Sequence, residues 1–257
     1  MPSFKDLEDV SSVIDSFIEK HLTSNAYPAF REALMYPIRA GGKRVRPMLV
    51  MLSAEAAGGR AEDAIPAAAA FELAHNGTLI FDDIIDKGEL RRGTFSAWKK
   101  YGQSAAILIA LRYREAIVRV LDQSKHSHEL ESLLSRVIDD IIEGEMLDIS
   151  LERGGRDDPL FLGFRKKNIT IDDYLFMIGK KTATLFEGCC KAGAIVADAS
   201  SDVQQALASY GLNLGYVFQI TDDVLDIFGA EEEFGKKIGK DLMEHKGGNI
   251  VILLGME

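Results

Sequence analysis

Residues 130–142 read Leu130-Glu131-Ser132-Leu133-Leu134-Ser135-Arg136-Val137-Ile138-Asp139-Asp140-Ile141-Ile142. The apolar members recur at steps of three and four, which lays them along one stripe of a helix of 3.6 residues per turn. The same spacing extends over most of the chain, and alternation of period two is nowhere sustained. Prolines stand only at 2, 28, 37, 47, 66 and 159, leaving long stretches without that helix breaker. The pattern predicts helices near 4–21, 28–39, 45–57, 64–86, 103–122, 127–150, 171–197, 201–228 and 240–254. Glycines supply the turns at 41–42, 58–59, 88–93, 154–155 and 229–239. Thr170, with Asp173 three residues later, resembles an N-terminal cap followed by an acid. No disordered linker and no short-period repeat divides the chain, so one all-α domain, a bundle of long helices over 1–257, is expected.

The chain has 257 residues, 40 acidic and 30 basic side chains, and a net charge of -10. That length suffices for a sizeable core without staples. The two cysteines, Cys189 and Cys190, are sequence neighbours with no third to pair with, which fits a reducing compartment and small core residues. The opening Met1-Pro2-Ser3-Phe4-Lys5-Asp6 lacks the pattern of a secretory signal, and no apolar run approaches the roughly 20 residues a membrane span needs. A cytoplasmic protein without an integral membrane segment is expected. The negative balance argues against nucleic acid as a partner, because that affinity comes from neutralising phosphates. A small anionic ligand responds instead to local clusters of cations.

Two segments share one pattern: Leu79-Ile80-Phe81-Asp82-Asp83-Ile84-Ile85-Asp86 and Phe218-Gln219-Ile220-Thr221-Asp222-Asp223-Val224-Leu225-Asp226. On a helix the first and last aspartates of each stand one turn apart on one face, where they repel unless a cation neutralises them. Hard oxygen ligands of this kind favour magnesium, especially when substrate phosphates complete its coordination. A single copy is as readily a solvated acidic turn. Two copies, each late in an apolar helix, favour two facing metal-binding walls.

Gly41-Gly42-Lys43-Arg44-Val45-Arg46-Pro47 sets three cations beside a glycine pair, at a helix start where the macrodipole disfavours them. Guanidinium forks and an ammonium there suit a diphosphate. Arg91-Arg92 follows the first aspartate motif closely enough to fold back over a ligand held at Asp82. Lys180-Lys181-Thr182 interrupts an apolar helix, and Lys236, Lys237, Lys240 and Lys246 follow the second motif. A ring of cations opposite metal ions would disperse the charge a diphosphate leaving group gains.

Taken in order, Gly-Gly-Lys-Arg-x-Arg-Pro, the first aspartate motif with Leu-Arg-Arg-Gly at 90–93, Lys-Thr-Ala at 181–183 and Phe-Gln-Ile-x-Asp-Asp-x-x-Asp at 218–226 resemble the trans-type isoprenyl diphosphate synthases, the polyprenyl synthetase family. The resemblance spans roughly residues 28–250. It implies the isoprenoid synthase type of fold, long helices around a central deep cavity. It also implies a transferase of isoprenoid biosynthesis that joins isopentenyl diphosphate to an allylic prenyl diphosphate, working as a homodimer with about three magnesium ions. By the same resemblance Lys43, Arg46 and His75, with Arg92 beside them, hold the diphosphate of isopentenyl diphosphate. Asp82, Asp86 and Asp222 hold magnesium against the allylic diphosphate, supported by Asp83, Asp223 and Asp226. Arg91, Lys181, Thr182, Gln219 and Lys236 contact that allylic substrate, and Lys246 completes the cationic wall. The allylic C–O bond ionises, the alkene of isopentenyl diphosphate attacks the carbocation, and a proton is lost, lengthening the chain by five carbons.

In this family a bulky aromatic four or five residues before the first aspartate closes the product tunnel early. Here those positions are Thr78 and Gly77, with Ala74 and Ala70 deeper and Phe71 as a floor, which implies a product of C20 or longer. Three departures stand out. The family's Gly-Asp after Ala106-Ile107-Leu108 is replaced by Ile109-Ala110-Leu111-Arg112. Few residues follow Lys246-Gly247-Gly248-Asn249-Ile250, and Phe81 replaces a common histidine. The first two imply stretches missing after Ile109 and near the C-terminus. A noncatalytic partner subunit of a heteromeric synthase would have lost aspartates, and both motifs are complete. A class I terpene cyclase needs neither Gly41–Arg46 nor a second full aspartate motif.

Overall fold

The computed structural model describes residues 7–152, 158–166, 168–228 and 249–255. The chain is all-α, as the periodicity predicts, and clusters into two compact units. The first comprises Met1–Leu134 with Cys189–Leu207 and the second Ser135–Gly188 with Ala208–Glu257.

In the first unit α1 (Leu7–Thr23), α2 (Arg31–Arg39), α3 (Val45–Ala56), α4 (Ile65–Ile85), α5 (Ala97–Tyr101) and α6 (Gln103–Leu121) follow in order. Helix α4 is central and packs on α1, α3 and α6. Ala67, Ala68, Ala69 and Ala70 are all fully buried, and small side chains let neighbouring helices approach closely. Val10, Ile14, Ile18 and Leu22 of α1, each four residues from the last, form the buried stripe of that helix. Helix α6 runs unbroken through Ile109–Arg112, where the family's Gly-Asp is absent.

Between α4 and α5 the chain forms a two-stranded hairpin, β1 (Leu90–Arg91) and β2 (Thr94–Phe95), with Leu90 opposite Phe95 and Arg91 opposite Thr94. The turn residues Arg92 and Gly93 have φ of 53° and 77°, the positive pair of a type I′ hairpin turn. Strands of two residues carry no alternation, so only the turn was legible in the sequence.

Helix α7 (Ser127–Leu151) carries the stripe of residues 130–142 and runs from the first unit into the second. Next come a short α8 (Pro159–Leu162) and α9 (Ile171–Ile178). Thr170 and Asp173 form the expected capping box at the start of α9, each side chain bonding the other's backbone N–H. The single helix predicted over 171–197 is interrupted by a π-helical segment, Gly179–Ala183, before α10 (Thr184–Val196). Helix α11 (Ser201–Phe228) matches its predicted bounds. Of the helix predicted over 240–254, the described part is α12 (Ile250–Leu254).

Close contacts with α7 and α11 hold the π segment in the second unit. A Cβ on Gly144 would collide with the main-chain nitrogen of Lys181, and one on Gly215 would sit 2.5 Å from the Ala183 Cα. Leu151, Tyr174, Met177, Ile178 and Leu253 form the core of this unit, with Leu147, Tyr216, Ile220 and Ile250 packed against it.

Candidate active site

Helix α4 ends at Ile85, so the first aspartate motif occupies its last turn and Asp86 is its C-cap. Asp82 and Asp86 are half-buried, whereas Asp83 turns inward and is 5% exposed. There it meets Arg91 of β1, whose Nη2 donates to Oδ1 at 2.7 Å and whose Nε lies 3.2 and 3.3 Å from the two oxygens. The hairpin thus brings Arg91 to the motif, as its spacing implied, but onto the middle aspartate. Both partners were expected to serve metal or substrate, and each is engaged by the other.

Arg92 adopts a left-handed conformation that is costly for a bulky side chain. That conformation carries its guanidinium to the Gly41 carbonyl and to within 3.4 Å of Asn76 Oδ1. Arg46 Nη1 lies 3.1 Å from His75 Nε2. Arginine can only donate, so Nε2 accepts and the ring proton sits on Nδ1. Burial pushes the His75 pKa well below its usual value, and the charges of Arg46 and Arg92 push the same way, so the imidazole is neutral. Arg46 thus meets His75, and the charges of Arg46 and Arg92 both act on that ring. Lys43 is exposed.

Arg44, the middle cation of the basic motif, faces the interior instead. Its guanidinium donates to both Asp15 oxygens at 2.8 Å, to Glu72 Oε1 at 3.1 Å and to the Ile38 carbonyl at 2.7 Å. Glu72 also accepts from Asn76 Nδ2 at 2.8 Å. Arg44 thus ties the basic loop to α1 and α4. Sequence reasoning missed Asp15, Glu72 and Asn76. The available signal was Glu72 itself, an acid within an alanine-rich buried stretch that needs a partner there.

In the second unit Lys181 and Thr182 lie on the π segment, a feature frequent at functional sites. Lys181 Nζ contacts Glu145 at 2.6 Å and Asp148 at 2.5 Å, and Lys180 Nζ contacts Asp140 at 2.7 Å and Glu143 at 2.6 Å. These two pairs of α7 acids, each spaced by three residues, were not singled out from the sequence. Thr182 Oγ1 donates to Gln219 Oε1 at 2.7 Å, and Gln219 Nε2 donates to Asp223 Oδ1 at 2.8 Å. Asp222 is exposed and Asp226 half-buried, while Asp223 is 4% exposed. Lys236 and Lys246 lie outside the described residues.

The chain-length positions lie on α4. Phe71 and Ala74 are buried, and Thr78 is half-buried with its hydroxyl donating to the His75 carbonyl at 2.9 Å. Gly77 is buried with its Cβ direction toward Tyr113 of α6, at 3.9 Å. A phenylalanine at 77 would therefore press first on the α4–α6 contact. Cys189 and Cys190 are free and buried, and burial raises the Cys189 pKa well above a normal thiol. Among the described residues no three side chains of the usual metal-ligating types converge, and no helix is long and apolar enough to cross a membrane.

The polyprenyl synthetase family model matches residues 27–256. This chain belongs to the polyprenyl synthetase family. It is 37% identical to a geranylgeranyl diphosphate synthase of Methanosarcina mazei over 96% of this chain and 74% of that relative. It is 35% identical to a geranylgeranyl diphosphate synthase of Saccharolobus solfataricus, over 92% of this chain and 70% of that relative. Among solved structures it resembles a polyprenyl synthase from Caulobacter crescentus complexed with calcium and isoprenyl diphosphate. That match has a TM-score of 0.84 and 31% identity and covers 97% of this chain and 71% of that one.

Proposed function

We propose that the protein is a trans-prenyltransferase that condenses isopentenyl diphosphate with an allylic diphosphate to give an all-trans prenyl diphosphate of C20 or longer. The observation that carries this reading is the pair of aspartate motifs, each ending an apolar helix with its middle aspartate buried and its first and last more exposed. Acids at a helix C-terminus oppose the macrodipole and repel one another, a cost that a bound divalent cation removes. The donor set fits magnesium: Asp82, Asp86, Asp222 and Asp226 offer hard carboxylate oxygens, and substrate phosphates would supply the remaining ligands. Bound magnesium would stabilise the charge that builds on the departing diphosphate.

The side chains of this chain divide the remaining work. Arg46 and Arg92, with Lys43 beside them and neutral His75 orienting Arg46, bind the diphosphate of isopentenyl diphosphate. Lys181 and Thr182, with Lys236 and Lys246, serve the allylic diphosphate. Glu145 and Asp148 hold the Lys181 ammonium in place until that substrate arrives. The allylic C–O bond ionises and the alkene of isopentenyl diphosphate attacks the resulting carbocation. A proton then leaves to the departing diphosphate, so no side-chain nucleophile takes part.

Thr78, Ala74 and Ala70 are small, which supports a long product, as do the geranylgeranyl names of the two relatives. Thr78→Phe should shorten the product with less cost to the fold than Gly77→Phe. We place the enzyme in the cytoplasm as a homodimer, and the exposed Leu108 and Leu111 of α6 offer apolar surface for the second subunit. The test is incubation with isopentenyl diphosphate, an allylic primer and magnesium, followed by chromatography. Products of C20 or longer are expected, a C15 endpoint with ample isopentenyl diphosphate contradicts the length, and no condensation contradicts the activity.

A further inference from the structure

Asp223 is surrounded by donors. Its Oδ1 accepts from Gln219 Nε2 at 2.8 Å, and its Oδ2 accepts from the Tyr174 hydroxyl at 2.8 Å and the Ile250 backbone N–H at 3.1 Å. Its own carbonyl accepts from Asn249 Nδ2 at 3.3 Å, and Asn249 Oδ1 accepts from Val251 N at 2.9 Å. Tyr174 and Asn249 are fully buried. A metal ion at this carboxylate would have to displace donors that already occupy both of its oxygens in a buried setting, and breaking such contacts is costly.

We propose that Asp223 is a positioning residue rather than a metal ligand, and that Tyr174 and Asn249 act through it to fix the roll of the last turns of α11. Successive residues on a helix are about 100° apart, so drawing residue 223 into the core swings residue 222 outward and leaves residue 226 beside it. The observed exposures follow that order: Asp222 exposed, Asp226 half-buried, Asp223 buried. The same carboxylate anchors the start of α12 and joins Thr182 of the π segment through Gln219. The chain's C-terminal segment, remote in sequence from the motif, thereby sets the direction of its metal-facing aspartates. This inference rests on the reading of Asp222 and Asp226 as metal ligands.

Tyr174→Phe removes one donor and keeps the ring in the core. The magnesium concentration for half-maximal condensation should rise on the order of tenfold, as for other residues that orient metal ligands, with KM for isopentenyl diphosphate unchanged. Hydrogen exchange at the Ile250 amide should quicken about fivefold, the scale of one lost hydrogen bond. Asn249→Ala, at the far end of the network, should produce the same two changes. A wild-type magnesium requirement in both variants, or unchanged Ile250 exchange in Tyr174→Phe, would overturn the proposal. If the wild-type protein condenses nothing, the prenyltransferase reading fails, and the exchange measurement still decides whether Asp223 is the anchor.

Discussion

The two aspartate motifs share a sequence and a place at the end of a helix, and differ in how the middle carboxylate is satisfied. Asp83 meets a full opposite charge, Arg91, delivered by a hairpin eight residues on. Asp223 meets neutral donors from α9, from its own helix and from the start of α12. In both cases one aspartate goes inward and holds the helix end, and the first and last are the more exposed of the three. The partners differ in kind, an arginine from a hairpin for Asp83 and hydroxyl, amide and backbone donors for Asp223, and the two should fail differently.

The largest difference expected is between outer and inner positions. On the proposed reading of Asp82 and Asp222 as cation ligands, Asp82→Ala and Asp222→Ala should each lower turnover by at least about a hundredfold with little change in Tm. Next in size is the ion pair. Arg91→Ala leaves Asp83 buried without its cation and should destabilise by about 2 kcal/mol, below the range for fully buried pairs because Arg91 is partly solvated, as read by denaturant unfolding. Gly144→Ala should cost about 1–3 kcal/mol by forcing α7 away from the π segment, with activity falling alongside because Lys181 moves.

The smallest effect concerns the cap of α9, the helix that supplies Tyr174. The hydrogen bond from Lys166, followed by that from the Thr170 backbone, lowers the Asp173 pKa from 3.8 to about 2. A depressed carboxylate stabilises the folded state above its unfolded pKa, and that contribution is lost as pH falls from about 4 toward 2. Thr170→Ala should cost about 1 kcal/mol at neutral pH. Thermal unfolding across this acid range should show a shallower pH dependence in the variant.

Much of the fold was legible because long helices advertise themselves: the stripe of α7, the bounds of α11 and the Thr170–Asp173 box all stand in the local pattern. The π segment was not, because its extra residue per turn changes no residue type and arises from the close approach of α7 and α11 at Gly144 and Gly215. The hairpin was hidden by the shortness of its strands. At the site, Arg46 meets His75, and Arg92 turns back to Gly41 and Asn76. The inward partners of Arg44 and Asp83 were not legible for one reason: sequence gives the charge of a side chain but not the side of the backbone on which its partner waits. Asp15 and Glu72 are the partners of Arg44 and Arg91 that of Asp83, just as Glu145 and Asp148 hold Lys181.

The division of labour within the motifs is tested most directly by measuring condensation turnover and Tm together for Asp82→Asn and Asp83→Asn. Asp82→Asn should lose turnover and keep its Tm, while Asp83→Asn should lower Tm as its charge pair with Arg91 is lost. Wild-type turnover in Asp82→Asn, or an unchanged Tm in Asp83→Asn, would contradict the account.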